Sequence, residues 1–469
     1  FDNTFNVSNS LEFGWSVLIT PDSNYITLCP AINLITNSGS YSFSSFSQSG
    51  NIIDNKLYVT SGYFAYVGLM NTLFRLPNHT GYMFGGSLEN NLTGDNDIML
   101  VKFNNSGDTI FQKVYSDSNF SAPYYSTITS DSKVLLVGFE GPYSDSKDIF
   151  LMKTDTNGNL IWKKNYGDLT NDLGYSVCEM LDSIYVIGGT KIQNGNANPW
   201  IIKTDTAGDM LYEKEFTENP FSCGTIWVFP SLDKQFLVHG CLDTIVNNGD
   251  YYRPSYIGKM DTNFNYLWYT IFNDPQVNDI YIMKQMADST VVYVGFQVGG
   301  NPNAPEGKVG KLAKNGNKLW EHQYRHGNST WNFFSDFQQT YDGGFIITGS
   351  SDGPTGQDLW LVKLDSLGCL EPCFTNTGTI ETGNSAVLLE CYPNPSSSQT
   401  SILYNVPDAA KQAELWIMDL SGKLLKQVPL DNSANHYNLS LTQWSTGVYV
   451  CSLVIDKVVR KSMKVAVAR

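Results

Sequence analysis

Short apolar runs recur along the first three quarters of the chain, and six of them end in glycine: "YMFGGS", "VLLVGF", "YVIGGT", "FLVHGC", "VYVGFQ" and "FIITGS". Their length and their β-branched and aromatic content predict buried strands. Each run is followed by another ending near a Lys, then a tight turn, then a strand of alternating aromatics, as in "IFLMKTDTNGNLIWKKNY" at 149–166. A further run precedes each glycine-ended one, such as "GYSVCEM" at 174–180. The pattern predicts four short strands per unit.

The units keep register. The turn residue is Gly50, Gly107, Gly158, Gly208, Phe264, Gly316 and Gly368, a mean spacing of 53 residues. Lys stands five positions earlier at Lys102, Lys153, Lys203, Lys259, Lys311 and Lys363. Aromatics follow at four positions (Phe111, Trp162, Tyr212, Trp268, Trp320) and at eight (Tyr115, Tyr166, Phe216, Phe272, Tyr324). Both offsets are even, so both side chains share one strand face and are expected between neighbouring units. A four-strand repeat near 50 residues is the signature of a propeller blade. Residues 1–373 therefore read as a seven-bladed β-propeller in an all-β chain. Glycine supplies the positive φ of the turn; at Phe264 the neighbouring Asn263 or Asn265 is expected to take that conformation. The recurring Lys and Asp are expected to pair or to bond to backbone, as structural punctuation. The last unit lacks an aromatic fourth strand, and sliding the repeat places Phe5 near the slot filled by Tyr324. Residues 1–8 are expected to supply the missing outer strand of the seventh blade.

Composition narrows the function. With 30 Lys and Arg against 45 Asp and Glu, the net charge of −15 argues against nucleic acid as a partner. No run of 18 apolar residues encodes a membrane-spanning helix. The chain opens on Phe1 without a basic-then-apolar leader, as expected of a mature form whose export signal has been removed, or of a trimmed chain. Three local cysteine pairs, Cys223 with Cys241, Cys369 with Cys373 and Cys391 with Cys451, fit disulfides in an exported protein; buried free thiols are the alternative.

Catalytic signals are sparse. His322 and His326 have the i, i+4 spacing of a helical metal pair but fall on a strand and loop, too far apart to share a metal. There is no G-x-S-x-G elbow and no P-loop. Asp97, Asp148 and Asp358 recur just before the third strand, which favours a turn bond over catalysis. No cofactor is expected, and structural calcium at such loops has no support from an EF-hand ligand series. Polar loops ahead of the third strand, "KIQNGNANP", "IVNNGDYYRP" and "GGNPNAPEG", crowd one rim, where a surface glycan or a protein ligand would bind.

Residues 374–388 read as a linker, and residues 389–469 as a small β-sandwich carrying a net +2. Four ordered motifs there, "YPNP" (Tyr392, Pro393, Asn394, Pro395), "DLSG" (Asp419 to Gly422), "LTQWSTGVY" (Leu441 through Gly447 to Tyr449) and "KSMKVAV" with Lys461 and Lys464, resemble the type A C-terminal sorting domain of type IX secretion substrates of Bacteroidetes. The resemblance implies export through the periplasm to the cell surface or medium, an outer-membrane translocon, a shuttle barrel protein that recognises the domain, and a sortase that removes it. It implies that the residues just named form the sorting signal. The expected function is a non-enzymatic secreted or surface propeller for adhesion or ligand binding. The alternatives are a self-assembling subunit built by strand donation from residues 1–8, and a propeller enzyme acting on polysaccharide.

Overall fold

The computed structural model describes the chain apart from residues 7–9, 34–37, 69–71, 117–118, 143–145, 169, 181–182, 194, 218–223, 243, 246–250, 253, 273–277, 299–303, 354–355, 371–388, 393, 395, 405, 407–409, 411, 420–422, 431–435, 456–457 and 468–469. Two units follow one another, Phe1–Glu371 and Pro372–Arg469.

In the first unit, seven antiparallel sheets of four or five strands are the blades. Ser16–Ile19, Leu73–Arg75, Phe120–Ile128, Leu173–Met180, Ile226–Pro230, Asn278–Gln285 and Asn332–Gln339 are the innermost strands. Each packs on the next around a closed circle. The glycine-ended runs are the second strands. In blade 3, Val134, Leu135, Leu136 and Val137 are all fully buried, because both sheet faces are covered by adjacent blades. The glycine has a steric reason. The innermost strand bulges opposite it, skipping Tyr124, Tyr175, Tyr281 and Ser335 in blades 3, 4, 6 and 7. A Cβ on Gly349 would collide with the Phe333 carbonyl at that bulge.

The recurring phrase is a clasp between blades. Asp155 Oδ1 accepts the backbone N–H groups of Asn157 and Asn159, both at 2.8 Å, closing the turn; Asp205, Asp261 and Asp365 repeat this. The aromatic hydroxyl eight residues past the turn donates to the turn carbonyl of the next blade: Tyr115 to Gly158 and Tyr166 to Gly208, each at 2.7 Å, and Tyr324 to Gly368. The aromatic at four positions lies on that same glycine, so a side chain at Gly208 would meet the Trp162 ring. The Lys is not paired with its neighbouring Asp. Lys102 and Lys203 donate to the Thr156 and Thr262 carbonyls of the next turn, whereas in four blades the Lys reaches an Asp in the first hairpin of its own blade, Lys153–Asp131 (3.2 Å), Lys259–Asp233 (2.7 Å), Lys311–Asp288 (3.2 Å) and Lys363–Asp342 (2.9 Å).

This last arrangement sets a pH dependence. Burial pushes the Asp342 carboxyl up, but the Thr340 hydroxyl, the Lys363 ammonium and the Gly344 N–H outweigh it and hold the pKa at about 2. Asp131, Asp233 and Asp288 are lowered by the same balance. A carboxyl depressed in the folded state stabilises above its unfolded pKa of about 3.9, and that stability is lost as pH falls through the folded value. Thermal melts should show stability falling between pH of about 4 and about 2, and Asp342→Asn should flatten part of that fall.

At the awkward turn the structure corrects the expectation: Phe264 itself is left-handed, with φ of 62°. Asn263 and Asn265 both donate backbone N–H to Asp261 at 2.9 Å. The Phe264 ring is fully buried, 5.3 Å from Tyr212 and 5.7 Å from Phe236 between centroids. Ring burial outweighs backbone strain of about 1–2 kcal/mol. Phe264→Ala should cost about 3–5 kcal/mol. Phe264→Gly should be about 1 kcal/mol more stable than Phe264→Ala, because glycine relieves the strain; denaturant melts of both variants check the order.

The seventh blade is Asn332–Gln339, Phe345–Gly353, Gly356–Leu364 and, as outer strand, Asp2–Phe5. Phe5 lies opposite Leu359, the place Tyr324 holds opposite Gly307 one repeat earlier. Phe1 covers Gly50 as Trp162 covers Gly208, and Asn3 Nδ2 donates to the Gly50 carbonyl at 3.4 Å. Asp2 Oδ1 accepts Trp360 Nε1 at 2.6 Å and faces His326 Nδ1 at 2.8 Å.

The second unit is a sandwich of a three-stranded sheet (Leu389–Tyr392, Gln399–Tyr404, His436–Ser440) and a four-stranded one (Leu424–Pro429, Ala413–Met418, Gly447–Ile455, Val458–Val467). Leu389, Ile402, Leu415, Leu439, Leu441 and Leu453 fill its core. Cys391 and Cys451 are free thiols, so the expected disulfide is absent. They stand on different sheets: Cys391 Sγ points to the Lys464 carbonyl, while Cys451 is sealed in the core, its thiol pushed up to about 12 by burial and by Cys391. Cys241 and Cys369 are disulfide-bonded; Cys223 and Cys373 lie outside the described residues.

Candidate functional site

A cavity of about 560 Å³ opens where blades 6, 7 and 1 meet. Blade 1 contributes Leu11, Phe13 and Trp15 from the start of its innermost strand; blade 6 contributes Tyr281, Phe296 and Pro305. Blade 7 adds Trp331, Phe333, Asp352, Gly356 and Gln357. Tyr281 is the bulged residue of blade 6, turned out of the pairing as Tyr124 and Tyr175 are in blades 3 and 4. Trp227 of blade 5 stays paired with His239. Tyr124, Tyr175 and Trp227 stack in an arc, at 5.8 Å for Tyr124–Tyr175 and 5.3 Å for Tyr175–Trp227.

The walls are fixed. Phe333 stacks on Phe13 at 6.3 Å and meets Tyr281 edge-on at 6.1 Å. Gly14 N–H donates to the Gly349 carbonyl at 3.0 Å, tying blade 1 to blade 7. The Trp331 carbonyl accepts Ser329 Oγ at 3.0 Å and Asp352 N–H at 3.2 Å. Asp352 Oδ2 accepts both the N–H and the hydroxyl of Thr330, at 2.9 and 2.6 Å. Burial raises the Tyr281 phenol, with the Asp279 charge adding to it, so the group remains a hydroxyl near neutral pH. The Gln357 Oε1 atom is shielded from solvent and has no hydrogen-bond donor among the described residues.

The histidines singled out in sequence and two of the rim carboxylates are engaged elsewhere, whereas Asp148 Oδ1 has no hydrogen-bond partner among the described residues. His322 Nε2 faces the Leu367 carbonyl at 3.1 Å while its ring stacks on Trp320, and His326 holds Asp2. Asp97 accepts Ser116 Oγ at 2.8 Å and Asp358 accepts Asn6 Nδ2 at 2.8 Å. Burial raises the Asp148 carboxyl, with the Asp168 and Glu140 charges adding to it. Buried His239 faces the Tyr256 carbonyl through Nδ1 (3.1 Å) and Asp279 through Nε2 (3.5 Å), so both its nitrogens have protein partners. Among the described residues no cluster of three or more His, Cys, Asp or Glu could hold a metal. Of the variable rim loops, residues 194, 246–250, 253 and 299–303 lie outside the described residues.

In the second unit Asn394 clasps the last strand: its Nδ2 donates to the Lys464 carbonyl at 2.8 Å and its Oδ1 accepts Ala466 N–H at 2.7 Å. Asp419 Oδ1 accepts Lys423 N–H at 3.0 Å. Leu441 is fully buried and donates its N–H to the Ser398 carbonyl. Gly447 opens a strand, and Tyr449 packs edge-on to Trp444 at 4.8 Å. Lys461 and Lys464 sit in the last strand opposite Leu453 and Val450. Pro393, Pro395 and Gly422 lie outside the described residues. Residues 390–467 match the family model of the secretion system C-terminal sorting domain. The C-terminal unit is a type IX sorting domain.

The sorting domain marks the chain for export to the cell surface or medium. No helix among the described residues is long and apolar enough to cross a membrane. No curated protein matches the chain in sequence. Among solved structures it is similar to the propeller domain of the trilobed protease of Pyrococcus furiosus, with 11% identity over 77% of this chain and 98% of that one and a TM-score of 0.44. It is similar to the WD40 domain of Neurospora crassa Pan2, with 11% identity, coverage of 76% and 91%, and a TM-score of 0.45. PorZ of Porphyromonas gingivalis, described as an essential bacterial surface component of the type-IX secretion system, aligns with 10% identity over 96% of this chain and 69% of that one at a TM-score of 0.32. Similarity at this level assigns no activity.

Proposed function

We propose that the chain is a surface or secreted binding protein whose sorting domain delivers a propeller that holds its ligand in the aromatic cavity between blades 6, 7 and 1. The observation that carries this reading is the cavity itself: it is concave, mostly apolar, and walled by fixed aromatics with a few polar groups among them. A binding role is favoured over a catalytic one because no His, Cys, Lys or Arg among the described residues lines the cavity and the Asp352 carboxylate is already hydrogen-bonded by Thr330. Strand donation loses its motive, since Asp2–Phe5 fills its own seventh blade. In transit the sorting domain would meet the translocon, the shuttle barrel protein and the sortase.

The test is a chemically mixed fragment screen on the full chain by ligand-observed NMR. Hits that disappear in Trp331→Ala, a substitution at an exposed side chain, support the reading. Hits indifferent to that variant, or no hits, overturn it.

A further inference from the structure

Resting on that reading, we infer that the cavity takes the end of a neutral glycan, with a pyranose ring stacked on its aromatic wall. A pyranose offers a flat C–H face and a rim of hydroxyls. The cavity offers the matching pair of surfaces. Phe13 and Phe333 present near-parallel rings, and Trp331 stands 46% exposed at the opening, so aromatic area is ready to be covered. A volume of about 560 Å³ has room for a short oligosaccharide end.

The polar groups decide between ligand classes. Gln357 lines the cavity, and its Oε1 has no donor among the described residues. Turned toward the cavity, this carboxamide accepts a sugar hydroxyl. A proline-rich segment has no N–H on its prolines, and a quaternary ammonium has no N–H at all. The Thr330 hydrogen bonds leave the Asp352 charge in place, so tetramethylammonium is the sharpest competing probe. Anionic sugars are disfavoured, because the lining has no basic side chain and the chain carries −15. The Tyr281 hydroxyl supplies the opposite polarity, a donor for a sugar oxygen.

The experiment is titration calorimetry with tryptophan fluorescence on the full chain, using cellotetraose, xylotetraose, mannotetraose and maltotetraose. Sialyllactose, tetramethylammonium and decaproline serve as the competing probes. At least one neutral tetraose should bind, about tenfold or more weaker in Trp331→Ala and about fivefold weaker in Gln357→Ala. Unchanged circular dichroism and melting temperature would show that both variants fold. Binding of sialyllactose, tetramethylammonium or decaproline that Trp331→Ala abolishes, with no neutral tetraose bound, overturns the glycan assignment and leaves the binding-protein reading standing. No binding sensitive to Trp331→Ala by any probe overturns both.

Discussion

Deleting residues 1–6 should lower the melting temperature of the propeller by on the order of 10 °C and promote association between chains. The segment makes every kind of contact that joins the other blades. It pairs with Leu359 to Val362, presses Phe5 onto Phe46 at 4.8 Å, and lays Phe1 over Gly50. It also satisfies polar groups that would otherwise be left open. The buried Trp360 donates its Nε1 to Asp2, and Asp358 accepts Asn6 Nδ2. Loss of two packed aromatics and these bonds amounts to on the order of 5 kcal/mol, and the uncovered strand Gly356–Leu364 becomes an unpaired edge. Calorimetry and light scattering read the two effects. Adding a synthetic peptide of residues 1–6 should restore part of the lost stability; an unchanged melting temperature would refute the account.

Asp336→Ala should cost about 3–5 kcal/mol. Asp336 is fully buried in the innermost strand of blade 7. Its Oδ2 accepts Val17 N–H of blade 1 at 3.0 Å and its Oδ1 accepts Lys284 Nζ of blade 6 at 2.8 Å. Burial raises its carboxyl pKa against the pull of Lys284. Elsewhere in the ring a neutral hydroxyl meets the same need: Ser16 Oγ accepts Thr72 N–H at 3.0 Å, and Ser176 Oγ accepts Val228 N–H at 2.7 Å. Asp336→Ser alone should remain strongly destabilised because Lys284 loses its counter-charge and keeps only the Phe337 carbonyl. Asp336→Ser with Lys284→Met should recover most of the loss, since burying an apolar side chain in place of an ion pair is often neutral. Urea melts of the single and double variants decide. A double variant no better than Asp336→Ser would show that the charge pair itself is needed.

The blade count was legible because each blade repeats a local rule. The Asp155 turn, its glycine and the two aromatics after it are neighbours in sequence as well as in space. Contacts between distant segments were not legible in the same way. Of the two expected roles, the backbone bond holds for Asp155, Lys102 and Lys203, whereas Lys153 pairs with Asp131, 22 residues away and outside the recurring phrase. At Phe264 the reasoning weighed backbone freedom alone, whereas the buried ring decides the conformation. Cys391 and Cys451 both lie on strands, but nothing in their spacing says that the strands belong to different sheets. The cavity was missed for the same reason: Phe13, Tyr281 and Trp331 come from three blades far apart along the chain. A signal was available in the aromatic that precedes the buried half of the innermost strand, at Trp15, Tyr175, Trp227 and Tyr281.

The seventh blade also imposes an order on folding. The bond from Trp360 to Asp2 spans 358 positions, whereas the other blades are completed by segments within about one repeat of each other. Closing so long a loop in an unstructured chain costs roughly 2 kcal/mol more than closing a loop of one repeat. Once blades 1 to 6 have formed, the ring itself holds the two ends close and this extra cost largely disappears. The seventh blade is then completed last, and the segment made earliest waits longest for its partner. Until that moment the rings of Phe1 and Phe5 and the edge Gly356–Leu364 stay uncovered together, so the cell must keep them from other chains between synthesis and export.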